Sequence, residues 1–137
     1  MYLKSDNSER DLKFTVNHLW IDMDEYFIGT CGITEYAIEK YGYIKFIELI
    51  EINMEVNQYE KIGTIETQND ILSIISPLSG EIISINEIVF QFPEKVNSDP
   101  LQDGWIFKID IKNKYEFMDL FSYSQYEEFI KQDNFKF

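Results

Sequence analysis

Apolar residues recur at every second position over short stretches of this chain, and clusters of polar and acidic residues separate the stretches. That period is the mark of half-buried strands. Phe14 to Ile21 reads as a first strand, with Phe14, Val16, His18 and Trp20 on one face and Thr15, Asn17 and Leu19 on the other. Asp22 to Glu25 is an acidic turn, and Tyr26 to Ile33 is a second strand loosened by Gly29 and Gly32. The period then changes. Thr34 is placed to cap a short helix over Glu35 to Tyr41, whose Ala37, Ile38 and Tyr41 fall at helical spacing before Gly42 stops it. Tyr43 to Glu51 returns to β-branched and aromatic residues and predicts a strand partly covered on both faces.

Asn53 to Glu60 is a polar connection, and the stretch beyond it, Ile62 to Asn86, organises the rest. Lys61 to Thr67 rises to the polar tip Gln68-Asn69-Asp70, and Ile71 to Ile75 leaves it. Two antiparallel strands are predicted to meet there, since Asn and Asp tolerate the left-handed backbone that a tight hairpin asks for. Pro77-Leu78-Ser79-Gly80 forces the next turn, Pro fixing one torsion and Gly freeing another, and Glu81 to Asn86 resumes as a strand. Ile88 to Pro93 is a short apolar segment, and Glu94 to Asp103 reads as loop with Asn97-Ser98-Asp99-Pro100 as its turn signal. Trp105, Phe107, Ile109 and Ile111 alternate with Lys108 and Asp110, so the first set points inward. The end is helical: Asn113 with Glu116, and Ser124 with Glu127, are spaced as capping boxes. Their stripes, Phe117-Leu120-Phe121 and Tyr126-Phe129-Ile130, are expected to dock on the sheet.

These elements predict a mainly β protein with one domain over residues 14–137 and a polar, flexible arm over 1–13. The chain has 137 residues, enough to bury roughly two thirds of its unfolded surface without staples. Its net charge of −13 repels phosphate backbones and anionic lipid, which argues against nucleic acid and membrane surfaces and for basic protein partners. One cysteine allows no internal disulfide, and no apolar run approaches a membrane span, so a cytoplasmic protein is the expectation.

Candidate chemistry is sparse. His18 is the sole histidine, which excludes a multi-histidine metal site, and no nucleophile elbow accompanies it; it is expected as a half-buried strand residue beside Trp20. Cys31 lies among small residues with no basic neighbour in sequence, which predicts an inert buried thiol. The 25 acidic residues show no pair singled out by spacing, and no glycine-rich phosphate loop is present.

The order of tip, strand, Pro-x-Ser-Gly turn and strand is the one seen in lipoyl and biotinyl carrier domains. With further motifs, the chain resembles the H protein of the glycine cleavage system. His18-Leu19-Trp20 is similar to that family's His-Glu-Trp, Gly32-Ile33-Thr34-Glu35-Tyr36-Ala37 to its GIT segment, and Gly42 with Phe46-Ile47-Glu48-Leu49 to the strand that follows. Glu66-Thr67 stands for its Glu-Ser, and Ser76-Pro77-Leu78-Ser79-Gly80-Glu81-Ile82 for its SGE turn. Val96-Asn97-Ser98-Asp99-Pro100 and Asp103-Gly104-Trp105-Ile106 stand for its closing motif. The resemblance implies a lipoyl-domain-like β-sandwich, the barrel-sandwich hybrid or hammerhead, with a short helix after the second strand and helices at the end. It also implies a carrier without catalysis of its own, on which a lysine-linked lipoate takes an aminomethyl group from the P protein, offers it to the T protein and is reoxidised by the L protein.

Three positions depart from the pattern. Counted from Glu66 or from Pro77, the family's lipoyl lysine falls on Asn69, whose amide is not nucleophilic. Lys61, eight residues earlier and roughly 25 Å away along an extended strand, is too distant to replace it. Leu19 and Ser73 take the places of two acids that, in the family, face the ammonium of the retracted arm. The Asn69-Asp70 pair also suits a turn without any lost chemistry. The expectation is therefore a non-lipoylated, protein-binding or regulatory homologue with no cofactor, whose partners are a glycine-cleavage P, T or L protein or a lipoate ligase. The alternative is a working carrier or small-ligand-binding protein that uses the old arm cleft beside Leu19 and Ser73. An enzyme in its own right would need convergent titrating groups that the sequence does not display.

Overall fold

The computed structural model describes residues 12–49 and 51–134. It holds two antiparallel sheets. The larger takes β1 (Leu12–Phe14), β2 (Leu19–Met23), β3 (Ile28–Ile33), β9 (Phe107–Ile111), β8 (Gly80–Ile85) and β5 (Glu55–Val56), in that spatial order. The smaller takes β4 (Ile44–Leu49), β6 (Lys61–Thr67) and β7 (Ile71–Ile75). Helix α1 (Glu35–Tyr41) follows β3, α2 (Glu87–Gln91) and α3 (Glu94–Ser98) link β8 to β9, and a 3₁₀ turn (Lys114–Asp119) and α4 (Tyr123–Asn134) end the described chain. Among the described residues no helix is long and apolar enough to cross a membrane.

The main core lies between the sheets, where Leu19, Ile21, Cys31, Ile65, Ile74, Ile82 and Ile109 interdigitate. A second cluster, Leu12, Phe14, Trp20, Leu101 and Tyr126, fills the other face of β1 and β2, under α4. With both faces covered, Leu19, Trp20 and Ile21 are buried in succession rather than alternately. The Trp20 indole, fully buried, donates to the Pro100 carbonyl at 2.9 Å.

Several expectations hold in detail. Thr34 caps α1, its hydroxyl accepting from the Ala37 amide, and Gly42 ends it at φ 100°. The strands on either side of the tip run over the expected residues, and Phe107, Ile109 and Ile111 point inward from β9. Others need correction. Phe14 to Ile21 is not one strand but a hairpin: the Thr15 amide donates to the Leu19 carbonyl, the His18 amide to the Thr15 carbonyl, and His18 takes φ 70°. Val16 is thereby turned out to solvent. The strand before that turn starts at Leu12, while residues 1–11 of the predicted arm lie outside the described residues.

The polar connection after Asn53 contains the two-residue β5, and the loop after Pro93 contains α3. Five-residue helices do not persist through local propensity. The buried Val89 and Val96 anchor α2 and α3, and the Asn97 side chain holds α3 to the Ile44 backbone. The last capping box sits two residues before the expected one: Gln125 Oε1 accepts from the Ser122 amide at 2.8 Å, and Ser122 Oγ from the Gln125 amide at 3.2 Å. Asn113 does cap the 3₁₀ turn, through the Tyr115 amide, but the Glu116 carboxylate turns away to Ser79.

Candidate functional site

β6 and β7 pair from Lys61 opposite Ile75 up to Glu66 opposite Ile71, which leaves Gln68 and Asn69 at the tip between Thr67 and Asp70. Asn69 is exposed, as a presented residue must be, and Thr67 beneath it is buried. The Thr67 hydroxyl organises the turn. It accepts from the Asp70 amide at 2.9 Å and the Asn69 amide at 3.3 Å, and donates to the Tyr41 carbonyl at 2.7 Å. The Thr67 amide closes the turn on the Asp70 carbonyl, and the Gln68 amide reaches the Tyr43 carbonyl. The tip is thus tied to the end of α1 from both sides, and Gly42 leaves the space in which Gln68 and Asn69 lie.

The reason expected for asparagine at the tip does not apply. Left-handed non-glycine backbone occurs among the described residues at His18, Phe27, Asn53 and Tyr59, not at Asn69 or Asp70. The Thr67 hydroxyl does what positive torsions do in tighter hairpins. Local turn geometry therefore leaves position 69 open to other side chains.

The three departing positions do not converge. Leu19, on β2 opposite Ile33 of β3, is a core residue with its side chain between the sheets. Ser73 is exposed on the outer face of the small sheet, opposite Thr64. Lys61 stands at the foot of β6, the end away from the tip. A pocket of about 150 Å³ does open on the surface, but it is lined by Phe14, Thr15, Val16, Tyr59 and Asp119 to Phe121, with neither Leu19 nor Ser73.

Other titratable groups serve the scaffold. His18 is buried in a turn rather than half-buried in a strand; its Nδ1 pairs with the Tyr126 hydroxyl at 2.8 Å, which also pairs with Thr34 Oγ1 at 2.8 Å. This ties the β1–β2 turn, the cap of α1 and α4 together. Cys31 is fully buried as expected, and that burial, helped by the nearby Asp22 charge, holds its thiol far above the ordinary range. Partial burial and the neighbouring Glu39 raise the Glu35 carboxyl. Among the described residues no cluster of three or more His, Cys, Asp or Glu could hold a metal ion.

Two structural devices escaped the sequence reading. One is Thr67, whose signal was a hydroxyl two residues before a tip position. The other is Glu116, which accepts from the Ser79 amide at 2.8 Å and the Ser79 hydroxyl at 2.9 Å and so clamps the Pro-x-Ser-Gly turn from 37 positions away.

Comparison with known proteins agrees with this geometry. The family model described as glycine cleavage H-protein matches residues 12–133. The glycine cleavage system H protein of Thermotoga maritima is 35% identical over 121 residues, 88% of this chain and 97% of that relative. That of Legionella pneumophila, strain Corby, is 37% identical over 124 residues, 90% of this chain and 98% of the relative. A crystal structure of a glycine cleavage system H protein from Mycobacterium marinum superposes with a TM-score of 0.76 at 26% identity, covering 90% of this chain and 97% of that one.

Proposed function

The chain belongs to the glycine cleavage H-protein family, and from that premise we propose that it is a non-catalytic homologue that binds other proteins and carries no lipoate. One observation carries the reading: the residue at the exposed hairpin tip, where the resemblance puts the lipoyl lysine, is Asn69. Amide linkage of lipoate requires a nucleophilic amine, and a carboxamide nitrogen, its lone pair delocalised into the carbonyl, is none. The residues present do not fit the group. Lys61 offers no substitute, because β6 places it at the opposite end of the hairpin.

Leu19 and Ser73 support the same reading. An acid at position 19 would stand in the apolar core unless a cation met it, and leucine removes that cost. Ser73 leaves the outer face of β7 without charge. The scaffold meanwhile keeps its sandwich and a tip held by the Thr67 hydroxyl. The partners of such a domain are a glycine-cleavage P, T or L protein or a lipoate ligase, met in a regulatory or decoy capacity. Intact-mass measurement of the chain after coexpression with a lipoate ligase tests the proposal: an unchanged mass is expected, and a lipoyl adduct on any residue ends it.

A further inference from the structure

A sheet edge exposes backbone N–H and C=O groups that invite another strand, and proteins usually block it. Three of the four sheet edges here are blocked or cut short. On β1, Phe14 and Phe121 exchange backbone hydrogen bonds at 2.9 Å in both directions, and α4 packs alongside. β5 is two residues long, with Glu55 in an ion pair with Lys112. On β4, the Asn97 side chain imitates a neighbouring strand, its Oδ1 accepting from the Ile44 amide at 2.9 Å and its Nδ2 donating to the Ile44 carbonyl at 3.2 Å.

Among the described residues the fourth edge, β7, has no such cover. The Thr67 amide donates to the Asp70 carbonyl, which sets these two residues at a bonded position of the ladder, and bonded and non-bonded positions alternate along an antiparallel pair. Ile71 and Ser73, opposite Glu66 and Thr64, therefore fall in non-bonded pairs, and their N–H and C=O groups point away from β6. Among the described residues no hydrogen bond reaches those groups. The strand, Ile-Leu-Ser-Ile-Ile, also lacks the charge or proline that commonly guards an edge, and Ile71 is 72% exposed.

We infer that the open edge of β7 docks an extended, basic segment of a partner protein, which joins the small sheet as a fourth strand beside the tip. The charges around the edge choose that occupant. Glu66 and Glu48 share the outer face with Ile71 and Ser73, and Asp70 precedes the strand, so the half of the edge nearest the tip is acidic, with Lys61 at the far end opposite Ile75. A second copy would bring another net charge of −13 against them. A segment alternating apolar and basic residues sets its basic side chains on the outer face, their stems along Ile71 and their ends reaching Glu66, and its apolar ones on the inner face beside Leu72, while its backbone completes the ladder. This names the kind of partner met by the protein-binding role proposed above, and it rests on that role.

The probe is an N-acetylated, C-amidated heptapeptide of alternating lysine and valine, titrated into the full ¹⁵N-labelled chain, with a glutamate–valine peptide as control. The expected result is slowed hydrogen exchange and shifted resonances at the Ile71, Ser73 and Ile75 amides with the basic peptide alone, weakening as salt is added. Ser73→Pro deletes an outward donor without deleting a β6 bond, so it is expected to weaken binding about tenfold. If Ser73→Pro disturbs the hairpin, Ile71→Lys decides, since it keeps the backbone and sets a like charge against the peptide. Absent protection at β7, equal binding by the acidic peptide, or undiminished binding by both variants would overturn the inference. So would concentration-dependent dimers that Ser73→Pro dissolves, which would make a second copy the occupant. A lipoyl adduct found by intact mass would instead sink the non-lipoylated reading, whatever the peptide does.

Discussion

The side-chain nitrogen of Asn69 lies against Gly42, so that a Cβ at position 42 would stand 3.0 Å from Asn69 Nδ2 and 3.0 Å from Gln68 Cβ. Gly42 also carries φ 100°, a torsion that L side chains resist. Strain and crowding act together here, so Gly42→Ala is expected to cost about 1–3 kcal/mol, read as a lower urea midpoint with an unchanged slope.

Asn69→Lys tests the carrier scaffold directly. Neither Asn69 nor Asp70 has left-handed backbone, and the Thr67 hydroxyl holds the turn whichever side chain follows. The variant is expected to stay within about 0.5 kcal/mol of the parent stability. Coexpressed with a lipoate ligase it is expected to gain a lipoyl adduct at residue 69, detected by intact mass and peptide mapping, while the parent gains none.

Thr67→Val keeps shape and removes the hydroxyl that serves two amides and the Tyr41 carbonyl. A loss of about 1–3 kcal/mol is expected, with faster exchange of the Asn69 and Asp70 amides, and Thr67→Ser is expected to restore most of it.

Tyr126→Phe removes the hydroxyl that His18 Nδ1 and Thr34 Oγ1 share inside a buried cluster. Chemical denaturation is expected to show a loss of about 1–3 kcal/mol. Exchange is expected to quicken in α1 and α4 together, because one hydroxyl joins both.

Cys31 gives a dependence on alkaline pH. Its folded-state pKa lies far above the ordinary 9.0, so the folded chain keeps the proton that the unfolded chain releases. This contribution is whole below about pH 9 and shrinks above it, by about 1.4 kcal/mol between roughly pH 8 and pH 10. Urea midpoints across that range are expected to fall less steeply for Cys31→Ala. The native thiol is expected to resist alkylation until denaturant is added.

By itself, the sequence determined what depends on near neighbours. Thr34 and Gly42 bound α1 because a cap and a stop act within a few residues, and the runs around Gln68-Asn69-Asp70 declare a hairpin by their period. The motif order from His18 to Trp105 identified the family, and the hairpin within it turns at Gln68 and Asn69. The tertiary structure alone decided what depends on distant partners. Val16 and His18 keep the parity of a strand, yet the chain turns there, with His18 bonded to a tyrosine 108 positions later. No local signal marks α3 as a helix whose Asn97 guards a sheet edge 53 positions earlier. Nor does period tell that Leu19 faces the core while Ser73 faces solvent, or that no other described strand pairs with the outer edge of β7. Periodicity records which side of an element is apolar; which element covers that side is settled only when residues far apart in the chain compete for the same surface.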